Sequence, residues 1–226
     1  MMRIHLGKIL SFNAGYVDTA SFLALHGLFA AHVTGNFVTL GAALVSDSQT
    51  GAWAKLAALP MFCLMVLLTK LIDQRFLKLQ KNSYTFLLKL MFVLFSLAAV
   101  LSVFYLPFPK HDTLISFIVG MLLVAAMAIQ NAMHRIHWLK ESPTTVMTGS
   151  TTQLMLDIGE LFSKPSTEKK AQIYQRVYSI LPTMLSFALG CAIAAIVYKS
   201  ALLWLFIVPP ILLVLTYIYR ENYKKA

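Results

Sequence analysis

Six runs of about 20 predominantly apolar residues constrain this chain more than any other feature in it. They cover residues 9–28, 52–72, 87–106, 114–133, 178–198 and 201–219. Coiled as an α-helix, each run crosses the ~30 Å hydrocarbon layer with its backbone N–H and C=O groups bonded internally. The polar stretches between runs are too short for a separate soluble unit, so residues 1–226 read as one membrane domain. Composition agrees, since 58% of residues are hydrophobic and only 12% charged, about half the usual charged share of a soluble domain. Arg3 and Lys8 precede the first run, but Asp18 interrupts it and no small-residue cleavage site follows, so it reads as a span and not as a cleaved leader.

Two shorter apolar blocks remain, Thr34 to Val45 and Thr148 to Phe162. Twelve residues at 1.5 Å each cover about 18 Å, roughly half a bilayer, so these read as re-entrant half-helices. The chain also repeats itself. Val33-Thr34-Gly35-Asn36 answers Met147-Thr148-Gly149-Ser150, Asp18 answers Asn131, and Pro60 answers Pro182. Asp18 precedes Thr34 by 16 residues and Asn131 precedes Thr148 by 17. Each half therefore reads span, half-helix, span, span: repeat one over 8–108 and repeat two over 113–220. Three full spans is an odd number, so the halves are expected to sit inverted in the membrane.

Charge tests this arrangement. The net charge is +10, but the basic residues lie at the ends of apolar runs and form no aromatic-interleaved face, which excludes nucleic acid as a partner. With six spans and both termini in the cytoplasm, sixteen Lys and Arg residues face inward. Only Lys55, Lys110 and Lys199 face outward. Counting the short blocks as full spans would put the charges from Lys70 to Lys89 opposite the N-terminal pair. The expected fold is an all-α membrane protein of six transmembrane helices plus two re-entrant half-helices, in a bacterial inner (plasma) membrane.

Gly15-Tyr16-Val17-Asp18-Thr19-Ala20-Ser21-Phe22-Leu23, His32-Val33-Thr34-Gly35-Asn36 and Leu40-Gly41 resemble the signature of the YoaK family. So do Gln130-Asn131-Ala132 and Thr145-Val146-Met147-Thr148-Gly149 in the second half. The resemblance covers nearly the whole chain. It implies a bacterial multi-pass membrane protein and supplies no substrate. Thr19 departs from the Ala expected at that position.

Candidate solute-binding residues follow from the half-helices. A helix that starts inside the bilayer needs partners for its first free N–H groups, which lipid does not supply. Thr34 and Asn36, and Thr148 with Ser150 and Thr151, have side chains suited to capping, while Gly35 and Gly149 allow close approach. The positive end of the helix dipole favours anionic or polarised groups. Asp18, tenth residue of its span, falls near mid-depth, where an unpartnered carboxylate costs about 3 kcal/mol. Asn131 holds the matching position with Gln130 beside it, and Arg135 follows one turn later on the same face. Arg135 is open to two readings, an anion contact or partner of Asp18, and a snorkelling residue at the inner rim. His26 and His32 flank the first turn and His134 and His137 the second, as candidate proton relays. No metal-ligand cluster and no cofactor is expected. Asp157 reads as deeper than Glu160 on the second half-helix. Ser186, Gly190 and Ala194 form a helix-packing stripe. Cys63 and Cys191 are read as packing residues, and Pro209-Pro210 as a kink within the last span.

These features favour a transporter of a small polar or anionic solute, with or without proton or cation coupling, its site lying between the two Thr-Gly turns. A passive channel or facilitator is the alternative from the same parts. An intramembrane enzyme is disfavoured, because His-Glu-x-x-His and Gly-x-Ser-Gly motifs are missing and Asp18 has no evident catalytic partner; a structural or lipid-binding subunit is the remaining class. No Walker motif is present, so ATP is not a direct energy source. The expected partners are a small-molecule solute and membrane lipid, with a homodimer left open.

Overall fold

The computed structural model describes the chain except residues 1, 44, 46–50, 110, 140, 141, 146, 164 and 226, and the side chains of 2–5 and 220–225. Lys110, Lys140, Lys164 and Val146, and the side chains of Arg3, Arg220, Lys224 and Lys225, lie outside this description. The described residues form eight α-helices and no strand: α1 (Met2–Ala24), α2 (Gly35–Ala43), α3 (Ala52–Lys78), α4 (Tyr84–Tyr105), α5 (Leu114–His137), α6 (Met147–Phe162), α7 (Thr167–Ser200) and α8 (Val208–Lys225). A single 3-10 turn, Leu202–Trp204, joins the last two. Four of the helices, α3, α4, α5 and α7, are long and apolar enough to cross a membrane.

α1 lies deep in the bundle and is less apolar than those four. Ser11, Asn13, Ala14, Tyr16, Val17, Ala20 and Ser21 are fully buried. The helix packs against α7 and α8, while α5, the other mostly buried helix, packs against α3 and α4. The short helix α2 lies on α3, and α6 on α7. α3 and α7 turn much of their surface outward, exposing Leu64, Leu67, Leu71, Leu185, Leu189 and Ile193. An apolar outer face of that extent suits lipid and not water.

α1 and α7 run parallel and touch through their backbones. Ser11 Oγ donates to the Thr183 carbonyl at 2.8 Å. One turn on, a Cβ at Gly15 would run into the Phe187 carbonyl, and one at Gly190 into the Phe12 carbonyl. Two glycines facing each other permit this approach, as small residues do in membrane helix pairs. Gly190 and Ala194 are buried as the stripe predicts.

Polar contacts mark the two ends of the bundle. At one end the Gly51 N–H donates to Asp112 Oδ1 at 2.5 Å, joining the start of α3 to the α4–α5 connection. At the other, Ser83 Oγ donates to Asp73 Oδ1 at 2.6 Å and lies 3.2 Å from His137 Nε2. The end of α3, the start of α4 and the end of α5 meet there, so α3 and α5 share a direction and α4 opposes it.

Two local expectations are revised. Pro209 and Pro210 do not kink a span, because α8 begins at Val208 and both fall in its first turn. Helix-start N–H groups have no partner in their own helix, so proline is tolerated there. Cys63 is exposed on the apolar outer surface, whereas Cys191 is half-buried beside Gly15.

Candidate functional site

The site begins with the way α1 stops. The Gly27 N–H reaches back to the Phe22 carbonyl at 2.9 Å, and His26 and Gly27 take left-handed backbone angles, φ 56° and 80°. This six-to-one closure satisfies the terminal carbonyls and reverses the chain. Residues 28–34 then return along α1, which brings Ala31 and His32 against Asp18.

Asp18 is 5% exposed. Its Oδ1 accepts from the Ala31 N–H at 2.8 Å and the His32 N–H at 3.3 Å, and its Oδ2 lies 2.5 Å from His32 Nδ1. A carboxylate with such donors is held in place despite its depth, because the bonds replace lost hydration. Thr19, Phe22, Phe29, Phe187 and Cys191 complete a cavity of about 350 Å³ around Asp18 and His32. The His32 ring stands edge-on to Phe187 with centroids 5.6 Å apart.

Asn36 braces the same loop. Its Oδ1 accepts from the Phe29 N–H at 2.8 Å and its Nδ2 donates to the Phe29 carbonyl at 2.9 Å, so one side-chain amide pairs both backbone groups of one residue. The opening N–H groups of α2 are also engaged: Gly35, Asn36 and Phe37 donate to the carbonyls of His32, Val33 and Thr34. Thr34 is exposed, and the Gly35 backbone packs against the Phe29 ring.

The second half repeats the geometry in neutral form. Thr145 Oγ1 donates to Asn131 Oδ1 at 2.6 Å across 14 residues, the same separation as Asp18 and His32. Asn131 Nδ2 donates to the Met127 carbonyl at 3.2 Å. Gln130, 1% exposed, donates through Nε2 to the Leu10 carbonyl at 2.9 Å and to Thr144 Oγ1 at 3.2 Å. It thereby ties α5 to α1 and to the loop before α6. Thr148 and Gly149 are exposed and Ser150 is buried.

Arg135 is exposed and lines a different cleft, with Lys70, Asp73 and His137 at the far end of α5. Asp157, 2% exposed, takes Arg176 as its partner, with Nη2 at 2.6 Å and Nε at 3.0 Å, while Glu160 pairs with Lys169 nearer the end of α6. The structure thus joins Asp18 to Asn36 through one loop, and Gln130 to Asn131 through another, and leaves Arg135 apart from both.

His32 is absent from the binding residues that the Thr-Gly motif suggests. The 14-residue spacing to Asp18 is its signal, visible once Thr145 is set against it. Asn13 and Tyr16 gave no signal as polar atoms in an apolar stretch, yet among the described residues the Asn13 amide and the Tyr16 hydroxyl are buried without a hydrogen-bond partner.

Residues 6–219 match the model of a family described as protein of unknown function (DUF1275). The chain is 31% identical over 193 residues to the UPF0700 transmembrane protein YoaK of Bacillus subtilis (strain 168), covering 84% of this chain and 81% of that one. No solved structure matches it.

Proposed function

The chain belongs to the DUF1275 family of membrane proteins, and we propose that it carries a small polar solute across the bacterial cytoplasmic membrane, with Asp18 and His32 as a proton-coupling pair. One observation carries the reading: a buried carboxylate bonded to an imidazole at the break between α1 and α2, beside a cavity of about 350 Å³. Ionisable groups held at membrane depth and facing a cavity are the usual components of proton-coupled pathways. Because the first N–H groups of α2 are already bonded, the carboxylate–imidazole pair, with Thr19 beside it, is what meets a solute there. Three phenylalanine rings around it suit a molecule of modest size with one polar face.

The helix pairing supports an inverted repeat. Exchange each helix for the one four places along, and α1 on α7 becomes α5 on α3, α1 on α8 becomes α5 on α4, and α2 on α3 becomes α6 on α7. Rocking of one such half against the other is the general basis of alternating access. The end that gathers Lys70, Arg75, Lys78, Lys81 and Arg135 is then the cytoplasmic one by the positive-inside rule. Nothing in this reading calls for bond-making chemistry, so we class the protein as a carrier and not an enzyme.

The test is proton flux. Purified protein in liposomes that contain a pH-sensitive dye is given a pH gradient and then separate pools of amino acids, sugars, organic acids and polyamines. One pool is expected to trigger proton flux with wild-type protein and none with Asp18→Asn. Uptake of that pool by Asp18→Asn at the wild-type rate would overturn coupling at this pair and leave a passive facilitator.

A further inference from the structure

At the end of the bundle opposite Asp112, a cleft of about 700 Å³ opens between α3, the α3–α4 turn and α5. It lies apart from the Asp18 cavity and shares no lining residue with it. Lys70, Lys81 and Arg135 reach its walls and all three are exposed. Among the described residues the acidic group that lines it is Asp73, 2% exposed. Both carboxylate oxygens are occupied: Oδ1 accepts from Ser83 Oγ at 2.6 Å and lies 3.9 Å from His137 Nε2, and Oδ2 takes Lys70 Nζ at 3.4 Å. The negative charge is thus spent at the floor, on groups of the cleft itself.

Among the described lining residues, three cations against one carboxylate make the cleft positive even with His137 neutral. Arg135 contributes a planar fork of donors, suited to two oxygens of one tetrahedral anion, and Lys81 adds a point charge from the α3–α4 turn. Exposed Leu77, at 61%, lines the cleft too, and exposed Phe86 stands nearby in the first turn of α4, against Phe76. An apolar flank beside a basic cleft is the surface that a charged group at the edge of a hydrocarbon layer meets.

We propose that this cleft is a phosphate-group binding site, filled by the headgroup of an anionic phospholipid or by a soluble phosphate compound. Arg135 and Lys81 are its ligands. Asp73 is its positioning residue, fixing Lys70, Ser83 and His137 around the floor.

Thermal unfolding of the purified protein in neutral detergent tests the site, with phosphatidylglycerol micelles in one arm and inorganic phosphate in the other. Phosphatidylcholine micelles and sodium chloride at equal ionic strength serve as blanks. The double variant Arg135→Gln/Lys81→Gln is compared with Arg75→Gln/Lys78→Gln, which removes the same charge from exposed α3 positions that do not line the cleft. Half-maximal stabilisation is expected at about tenfold higher ligand in the cleft variant, and at the wild-type concentration in the control variant. Stabilisation by phosphatidylglycerol alone assigns the site to a lipid headgroup; stabilisation by inorganic phosphate as well assigns it to a soluble phosphate compound. Equal responses of the two variants, or no response of wild type beyond the blanks, would overturn the proposal.

Discussion

Residues 18–36 and 131–150 are two versions of one device. In each, a polar residue about three-quarters of the way along a buried helix reaches across a loop to a residue 14 positions later, just before α2 or α6 begins. The first version uses a carboxylate and an imidazole, with two further backbone donors on the carboxylate. The second uses an amide and a hydroxyl. The matching shape places a hydrogen bond at the same point of both returning loops, whichever groups make it. The difference isolates what is extra in the first half: two titratable groups where two neutral ones suffice for the fold. Structural need alone does not explain an ionisable pair there, since its neutral counterpart performs the same closure in the same molecule.

The sharpest contrast in packing is at Gly15, whose counterpart at the same distance before Asn131 is Ala128. A side chain on Gly15 meets the Phe187 backbone, which has no room to yield, while Ala128 already carries a Cβ in the interior. Gly15→Val is therefore expected to cost more than about 3 kcal/mol, on the scale of overpacking and backbone displacement. Ala128→Gly should cost about 1 kcal/mol, the usual helix penalty of glycine. Monodispersity in detergent and the unfolding temperature measure both. Equal effects would mean that the two crossings are not built differently.

Much of this was readable from residue order. The short blocks and the Thr-Gly pairs locate α2 and α6 to within a residue or two at their starts, because a run too short to span, opening on a turn motif, has few other readings. Asp18 and Asn131 follow from their place in the spans. The partner of Asp18 did not, because alignment on Thr34 and Thr148 shifts the loops by one residue and hides the match of His32 with Thr145. For Asn36 the sequence leaves two roles open, since an amide beside a helix start suits a ligand contact as well as a backbone brace. The returning backbone at Phe29 shows the clasp, which residue order does not display. Arg135 shows the limit of helical periodicity, which puts it on the face of Asn131 but does not say that one turn later this face opens onto the cleft at the end of the bundle.

The clasp gives the next contrast, since Ser150 occupies the register of Asn36 in the second half. Asn36→Ser removes a side chain that satisfies both backbone groups of Phe29, and a serine is too short to replace it. A loss of about 1–2 kcal/mol is expected, the cost of leaving part-buried backbone groups unpaired. The loss should be local, so amide hydrogen exchange at residues 28–34 is expected to accelerate while exchange in α5 and α6 stays at the wild-type rate. Uniform acceleration throughout the bundle would mean that the loop is not a separate unit braced by Asn36.

The smallest expected change in stability, and the most direct use of the comparison, comes from His32→Thr, which converts the first device into the chemistry of the second. A threonine hydroxyl donates to the Asp18 carboxylate as Thr145 donates to Asn131, and the backbone bonds from Ala31 and residue 32 to Asp18 remain. One charge-capable donor is exchanged for a neutral one, so the unfolding temperature is expected to fall by no more than about 1 kcal/mol would produce. The ring contact with Phe187 is lost as well, a small term at a half-buried position. Flux responds differently if the pair couples protons. The carboxylate keeps its place but loses the neighbour able to pass a proton to and from it, so solute-driven proton flux is expected to drop by more than tenfold, and pH is expected to have little effect on the remaining uptake. Proton flux at the wild-type rate in His32→Thr would show that the imidazole is a loop fastener, interchangeable with the hydroxyl of the other half, and that the carboxylate acts without it.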